Sequence, residues 1–116
     1  VELLQGEVEN TTLPSPSGSG QIYSRCPSCK VAVWSQYLRG TKGVEDIKYF
    51  IRVGTLDNPA LLPPDVHIYT VSKQPWVVLP SDVPAVERFY NWTEIWSLES
   101  QEREEALKAR IAAHLT

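Results

Sequence analysis

The sequence predicts a mainly β fold with a terminal α-helix, and three observations carry that expectation. Gln21–Arg25 and Val31–Leu38 are β-branched and aromatic runs that flank a Cys-x-x-Cys turn. Val66-His67-Ile68-Tyr69-Thr70-Val71 alternates its side chains between two faces as a strand does. The last stretch changes character and carries apolar residues at helical spacing, Leu107, Ile111 and Leu115.

Taken in order, Val1–Glu9 mixes apolar and acidic residues and is expected to be a strand. Thr12–Gly20 holds Pro14, Pro16, Gly18 and Gly20, which marks a loop or hairpin tip. Gln21–Arg25 and Val31–Leu38 follow as strands, with Arg39–Gly43 as a turn. Ile47–Val53 is expected to be a third strand and Gly54–Pro59 a turn. Val66–Val71 is the fourth strand. Pro75, Pro80 and Pro84 make the next stretch irregular, with Trp76, Val77, Val78 and Leu79 expected to plug a core edge. Ser100 is the expected cap of a helix over 101–115. Glu104 and Lys108 are expected to pair on it. The division into domains is 1–97 for the β part and 98–116 for the helical end.

The chain has 116 residues, enough for one small domain, where a metal staple aids folding. Net charge is −3, so no basic footprint for nucleic acid is present, and an acidic chain is a poor partner for anionic lipid. No apolar run is long enough to span a membrane. The first residues carry no export signal, which leads to the expectation of a cytoplasmic protein. Methionine is absent throughout, which suggests a processed or cut product. Asn10-Thr11-Thr12 and Asn91-Trp92-Thr93 fit the glycosylation sequon and are read as chance matches.

The chemistry-bearing signal is Arg25-Cys26-Pro27-Ser28-Cys29-Lys30. Two thiolates at this spacing can bite one zinc ion, and structural zinc takes four protein ligands in a tetrahedron. Cys26 and Cys29 are therefore read as half of a structural zinc site. Free thiols, a thioredoxin-like redox pair or a structural disulfide are the alternatives. The redox reading expects a helix after the second cysteine, whereas Val31-Ala32-Val33-Trp34 looks like strand. His67 and His114 lack the close paired spacing of a zinc finger; His114 falls at the end of the helix. Trp34, Trp76, Trp92 and Trp96 are read as core anchors. No nucleophilic triad, phosphate loop or metalloprotease helix motif is present.

The stretch Gln21–Trp34 resembles the second cysteine pair of the glutathione-dependent formaldehyde-activating enzyme family, also called the centromere protein V family. Three further stretches are similar to that family in the same order. They are Val53-Gly54-Thr55-Leu56-Asp57-Asn58-Pro59, Asp65-Val66-His67-Ile68-Tyr69 and Ser72-Lys73-Gln74-Pro75-Trp76. Tyr37 and the charged C-terminal helix look like fungal members. The resemblance covers roughly residues 1 to 90.

It implies an Mss4-like, β-tent zinc fold. It also implies a structural zinc held by an upstream Cys-x-Cys and a later Cys-x-x-Cys, of which only the later pair, Cys26 and Cys29, is here. The cysteine cluster that holds a catalytic-type zinc in the family is not in this chain. The chain thus looks like the C-terminal part of a family domain. Its partner would be the N-terminal half of that domain or a second chain. The implied activity is zinc-dependent carbon–sulfur lyase chemistry on a thiol adduct, such as that of glutathione, with a small carbonyl compound. His67 and Trp76 sit in family-like motifs and are the candidate substrate-binding residues. By itself the chain is expected to be inactive. The competing expectation is a zinc-stabilised protein-interaction module without catalysis, since fold does not settle function.

Overall fold

The computed structural model describes residues 1–15, 18–39, 44–45 and 48–115, with the backbone alone for 39, 44, 45, 114 and 115. Its contacts fall into two compact units, Val1–Leu61 and Leu62–Thr116.

The first unit is an antiparallel sheet. Its strands are β1 (Glu9–Leu13), β2 (Gln21–Arg25), β3 (Ala32–Arg39), β4 (Val44–Glu45) and β5 (Phe50–Ile51). β1 pairs with β2 and β2 with β3. The other edge of β3 is shared: β4 pairs with Leu38 and Arg39, and β5 with Trp34 and Ser35. The β1–β2 turn closes on Gly20, whose φ is 87°; a Cβ there would stand 3.2 Å from the carbonyl oxygen of Leu13. Glycine alone meets both demands at that position.

Alternation along the strands sorts their side chains. Ser24, across from Asn10 on one side and Trp34 on the other, donates to Asn10 Oδ1 at 2.7 Å. The opposite face carries Tyr23, Tyr37 and Phe50. Tyr37 and Phe50 meet edge to face at 5.1 Å, and the Arg52 guanidinium lies 5.2 Å from the Tyr23 ring centre. The most enclosed side chains are small and polar: Ser24 is 3% exposed and Ser35 2%. Among the described residues no apolar side chain is fully buried. The sheet is paired through its backbone without a dry apolar interior of its own.

The mainly β expectation with a terminal helix holds, and several boundaries move. The first strand begins at Glu9 rather than ending there, because Gly6 at φ 78° breaks the extended path before it. Thr12 and Leu13, expected in the loop, pair with Ile22 and Gln21. The third expected strand shrinks to Phe50–Ile51; Val53 already starts a 3-10 turn, Val53–Thr55. Ile47 and the Gly40–Gly43 turn lie outside the described residues.

In the second unit the fourth strand does not form. Tyr69 takes the left-handed region at φ 54° and Thr70–Ser72 wind into a 3-10 turn. What survives is one parallel bridge between His67 and Ala85. Trp76 and Val78 do not plug a core edge: they are 77% and 89% exposed. α1 (Trp92–Ile95) is capped by Asn91, whose Oδ1 accepts from the Thr93 amide at 3.1 Å.

α2 (Leu98–Leu115) starts before the expected Ser100 cap. Ser97 takes that role, its Oγ accepting from the Ser100 amide at 3.2 Å. Lys108 pairs with Glu105 at 3.2 Å and lies 4.5 Å from the Trp92 ring centre. Among the described residues no helix is long and apolar enough to cross a membrane.

Candidate metal half-site and the His67 hollow

The β2–β3 connection places both cysteines in one tight turn. The Cys26 amide donates to the Val31 carbonyl, and the Lys30 amide donates back to the Cys26 carbonyl, both at 2.9 Å. Lys30 turns the chain with φ 65°, a left-handed conformation that costs a side-chain-bearing residue about 1–2 kcal/mol. A bulge then falls where β3 resumes: Ser24 faces Trp34 while Arg25 faces Ala32. Such bulges re-aim the strand ends they interrupt.

This geometry prepares thiolate at Cys26. Backbone N–H groups of Cys29 and then Ser28 point at its sulfur, and the Cys29 side chain adds to them, so the thiol is held below its ordinary value. Both cysteines are free, Cys26 half-buried and Cys29 exposed. A soft pair with stabilised negative charge is the donor chemistry zinc prefers.

A charged cluster beside the cysteines was not singled out from sequence. Glu9 on β1 stands across from Arg25. Its carboxylate accepts from Arg25 at 2.7 Å and from Lys30 at 2.9 Å. Hydrogen bonds from Lys30, then Arg25, hold its carboxyl below the ordinary carboxylate value. The two flanks of the Cys-x-x-Cys turn are thereby tied to the start of β1. The signal was the Arg25 and Lys30 flanks themselves, but their acceptor depends on a register that only the folded sheet supplies.

Two donors are half of a tetrahedral set. Among the described residues no three His, Cys, Asp or Glu side chains gather to hold a metal. His67 belongs to the second unit and lines a hollow of about 490 Å³ with Tyr69, Thr70, Lys73 and Val77. Its backbone is fixed on both sides: its amide donates to Pro84 at 2.8 Å and its carbonyl accepts from Val86 at 2.9 Å. Its Nε2 is buried and meets no hydrogen-bond partner among the described residues. Lys73 Nζ is spent on the Val77 carbonyl at 2.8 Å. Trp76 is not among the residues that line this hollow.

Comparison with known families decides the kinship of this turn. The family described as glutathione-dependent formaldehyde-activating enzyme matches residues 1–72. The chain belongs to that family. The match takes in Cys26, Cys29 and His67 and ends before Trp76 and both helices. No curated protein matches the chain. No solved structure matches it either. A glutathione-related enzyme family is therefore the setting in which the cysteine turn is to be understood.

Proposed function

We propose that the chain is part of a zinc-dependent enzyme of carbon–sulfur lyase type, and that Cys26 and Cys29 supply half of its structural zinc site. The observation that carries this reading is the Cys26–Lys30 turn: two thiols, one with N–H groups aimed at its sulfur, inside the stretch that matches the family. The fit is to half a site. The remaining two donors would come from outside residues 1–116, either from the N-terminal half of the same domain or from a second chain.

When bound in such an enzyme, zinc polarises a thiol or carbonyl group for addition or loss of a thiol such as glutathione at a small carbonyl compound. This chain's own residues do other work. Cys26 and Cys29 hold one side of the structural metal. Glu9 clamps Arg25 and Lys30 on either flank of that turn. His67 presents an imidazole nitrogen with no hydrogen-bond partner among the described residues. It is the candidate to hold substrate, with the exposed Trp76 of the next family-like motif. Without its partner the chain is expected to be inactive.

One observation favours a second reading, a zinc-stabilised interaction module. Trp76 and Val78 stand in solvent, where large apolar groups gain from being covered by a partner.

Native and denaturing mass spectrometry of the purified protein tests the proposal. It expects bound zinc, lost on denaturation, together with a companion polypeptide or a second copy. A zinc-free single chain with both thiols titratable, purified without chelator, would falsify it. Lyase turnover by the assembled complex separates the enzyme reading from the interaction module.

A further inference from the structure

The second unit holds a cavity of about 550 Å³ that the proposed chemistry does not use. Asp65 and Val66 form one part of its lining. Tyr90, Ile95, Trp96 and Ser100 form the rest, with Ser97 beside them. Most of these residues lie beyond the stretch that matches the family.

Its polar groups can be counted. Ser97 Oγ has its proton committed: it donates to Ser100 Oγ at 3.1 Å and accepts from the Ser100 amide at 3.2 Å. Ser100 Oγ accepts from Ser97 and, at 3.3 Å, from Arg103 Nη2, so its own proton is uncommitted. Tyr90 is placed likewise. Its oxygen accepts from Trp96 Nε1 at 2.9 Å, and its own O–H donates to nothing among the described residues. The cavity thus shows two free hydroxyl donors, one of them backed by a guanidinium. Asp65 carries the opposite offer, a carboxylate with no ion pair or hydrogen bond among the described residues. Val66 and Ile95 add apolar wall.

A purely anionic ligand would meet Asp65, and a purely cationic one would leave both hydroxyl protons unmet. A ligand with both charges close together answers each group. We infer that this cavity receives an α-amino acid head group: carboxylate on the Ser100 and Tyr90 hydroxyls, ammonium on Asp65, side chain against Val66 and Ile95. Its volume falls in the ordinary range for small-ligand sites, about 300–1,000 Å³. The source is a free amino acid or the amino-acid end of a small peptide. The inference does not rest on the metal-dependent reading, since no residue in it belongs to the cysteine turn.

The test is ¹H–¹⁵N NMR of the full chain, following the Trp96 indole N–H, whose acceptor is Tyr90. Its signal is assigned by its loss in Trp96→Phe. The probes are L-leucine, isoamylamine, 4-methylpentanoate and S-methylglutathione. Saturable movement with L-leucine or S-methylglutathione supports the inference and tells the free amino acid from the peptide end. The single-charge probes should need at least about tenfold higher concentration, because each forfeits one charge-assisted hydrogen bond. Asp65→Asn should raise the half-saturation concentration by about the same factor with the rest of the spectrum retained. Ser100→Ala should act in the same direction. No saturable shift with either zwitterion overturns the inference. So does equal response to the amine or the acid alone, or unchanged binding in Asp65→Asn.

Discussion

Cys26 and Val31 close the β2–β3 turn through a backbone bond of 2.9 Å, and Cys29 lies inside the loop that this bond closes. A turn held this way keeps both thiols within one short connection of the sheet. On the proposed zinc reading, a metal would add stability once the other two donors are supplied. Cys26→Ser and Cys29→Ser should each abolish zinc retention in the assembled protein. Structural zinc is worth on the order of 10 kcal/mol to small domains, so the thermal transition should drop sharply. Melting curves with and without chelator check this: wild type should respond to chelator and both variants should not.

Lys30 tests the backbone rather than the metal. Its left-handed φ of 65° and its bond to Glu9 are separable. Lys30→Ala keeps the strain and loses the ion pair. Lys30→Gly loses the ion pair and releases the strain. The glycine variant should therefore be the more stable of the two by about 1 kcal/mol. Chemical denaturation of the pair gives the difference directly, and an alanine variant as stable as the glycine one would remove the strain argument.

Much of this turn was legible in the sequence, because local chemistry dictates it. Ile22, Tyr23, Val33 and Trp34 have strand propensity, and the Cys-x-x-Cys between them leaves room for little but a hairpin. Val66–Val71 misled for the opposite reason. Its alternation is that of a strand, yet its partners are irregular backbone. Tyr69, Thr70 and Val71 donate to Arg88, Val86 and Glu87, and the chain bends at Tyr69 to reach them. Trp76 misled because composition cannot say whether a large apolar side chain meets its own domain or another surface. The Glu9 contact with Arg25 and Lys30 needed the β1–β2 register, which is non-local. Residues 62–97 hold little regular β structure, so strand periodicity had little to read there.

Glu9 makes stability depend on acid. Lys30 and Arg25 hold its folded carboxyl below the ordinary carboxylate value of about 4.3. A depressed carboxyl contributes stability that is fully present above its unfolded value and lost as pH falls through the folded one. Wild-type stability should therefore decline on acidification through that range. Glu9→Gln should flatten this part of the profile and change little at neutral pH beyond the loss of the two exposed ion pairs. Urea midpoints collected from neutral to acid pH make the comparison.

Ser97 and Ser100 exchange the roles that spacing assigned. Ser97 Oγ caps the first turn of α2 through the Ser100 amide. Ser97→Ala should lower stability by about 1 kcal/mol, whereas Ser100→Ala, inside the helix, should cost less. Helical circular dichroism during thermal melting distinguishes them. Equal losses would mean that the cap is shared.

His67 sets stability against function. Its Nε2 is buried with no partner among the described residues, and a buried unpaired polar group costs about 1–3 kcal/mol. Replacing the imidazole with an apolar side chain of similar reach removes that penalty. His67→Leu should therefore fold at least as stably as wild type, provided that leucine packs among Val66, Ile68 and Val77. If His67 holds substrate as proposed, the same variant should lose substrate affinity in the assembled enzyme. Denaturation midpoints and KM measured on the same preparations give both halves of the comparison. A His67→Leu variant that loses stability while retaining KM would show that the imidazole serves packing and not substrate.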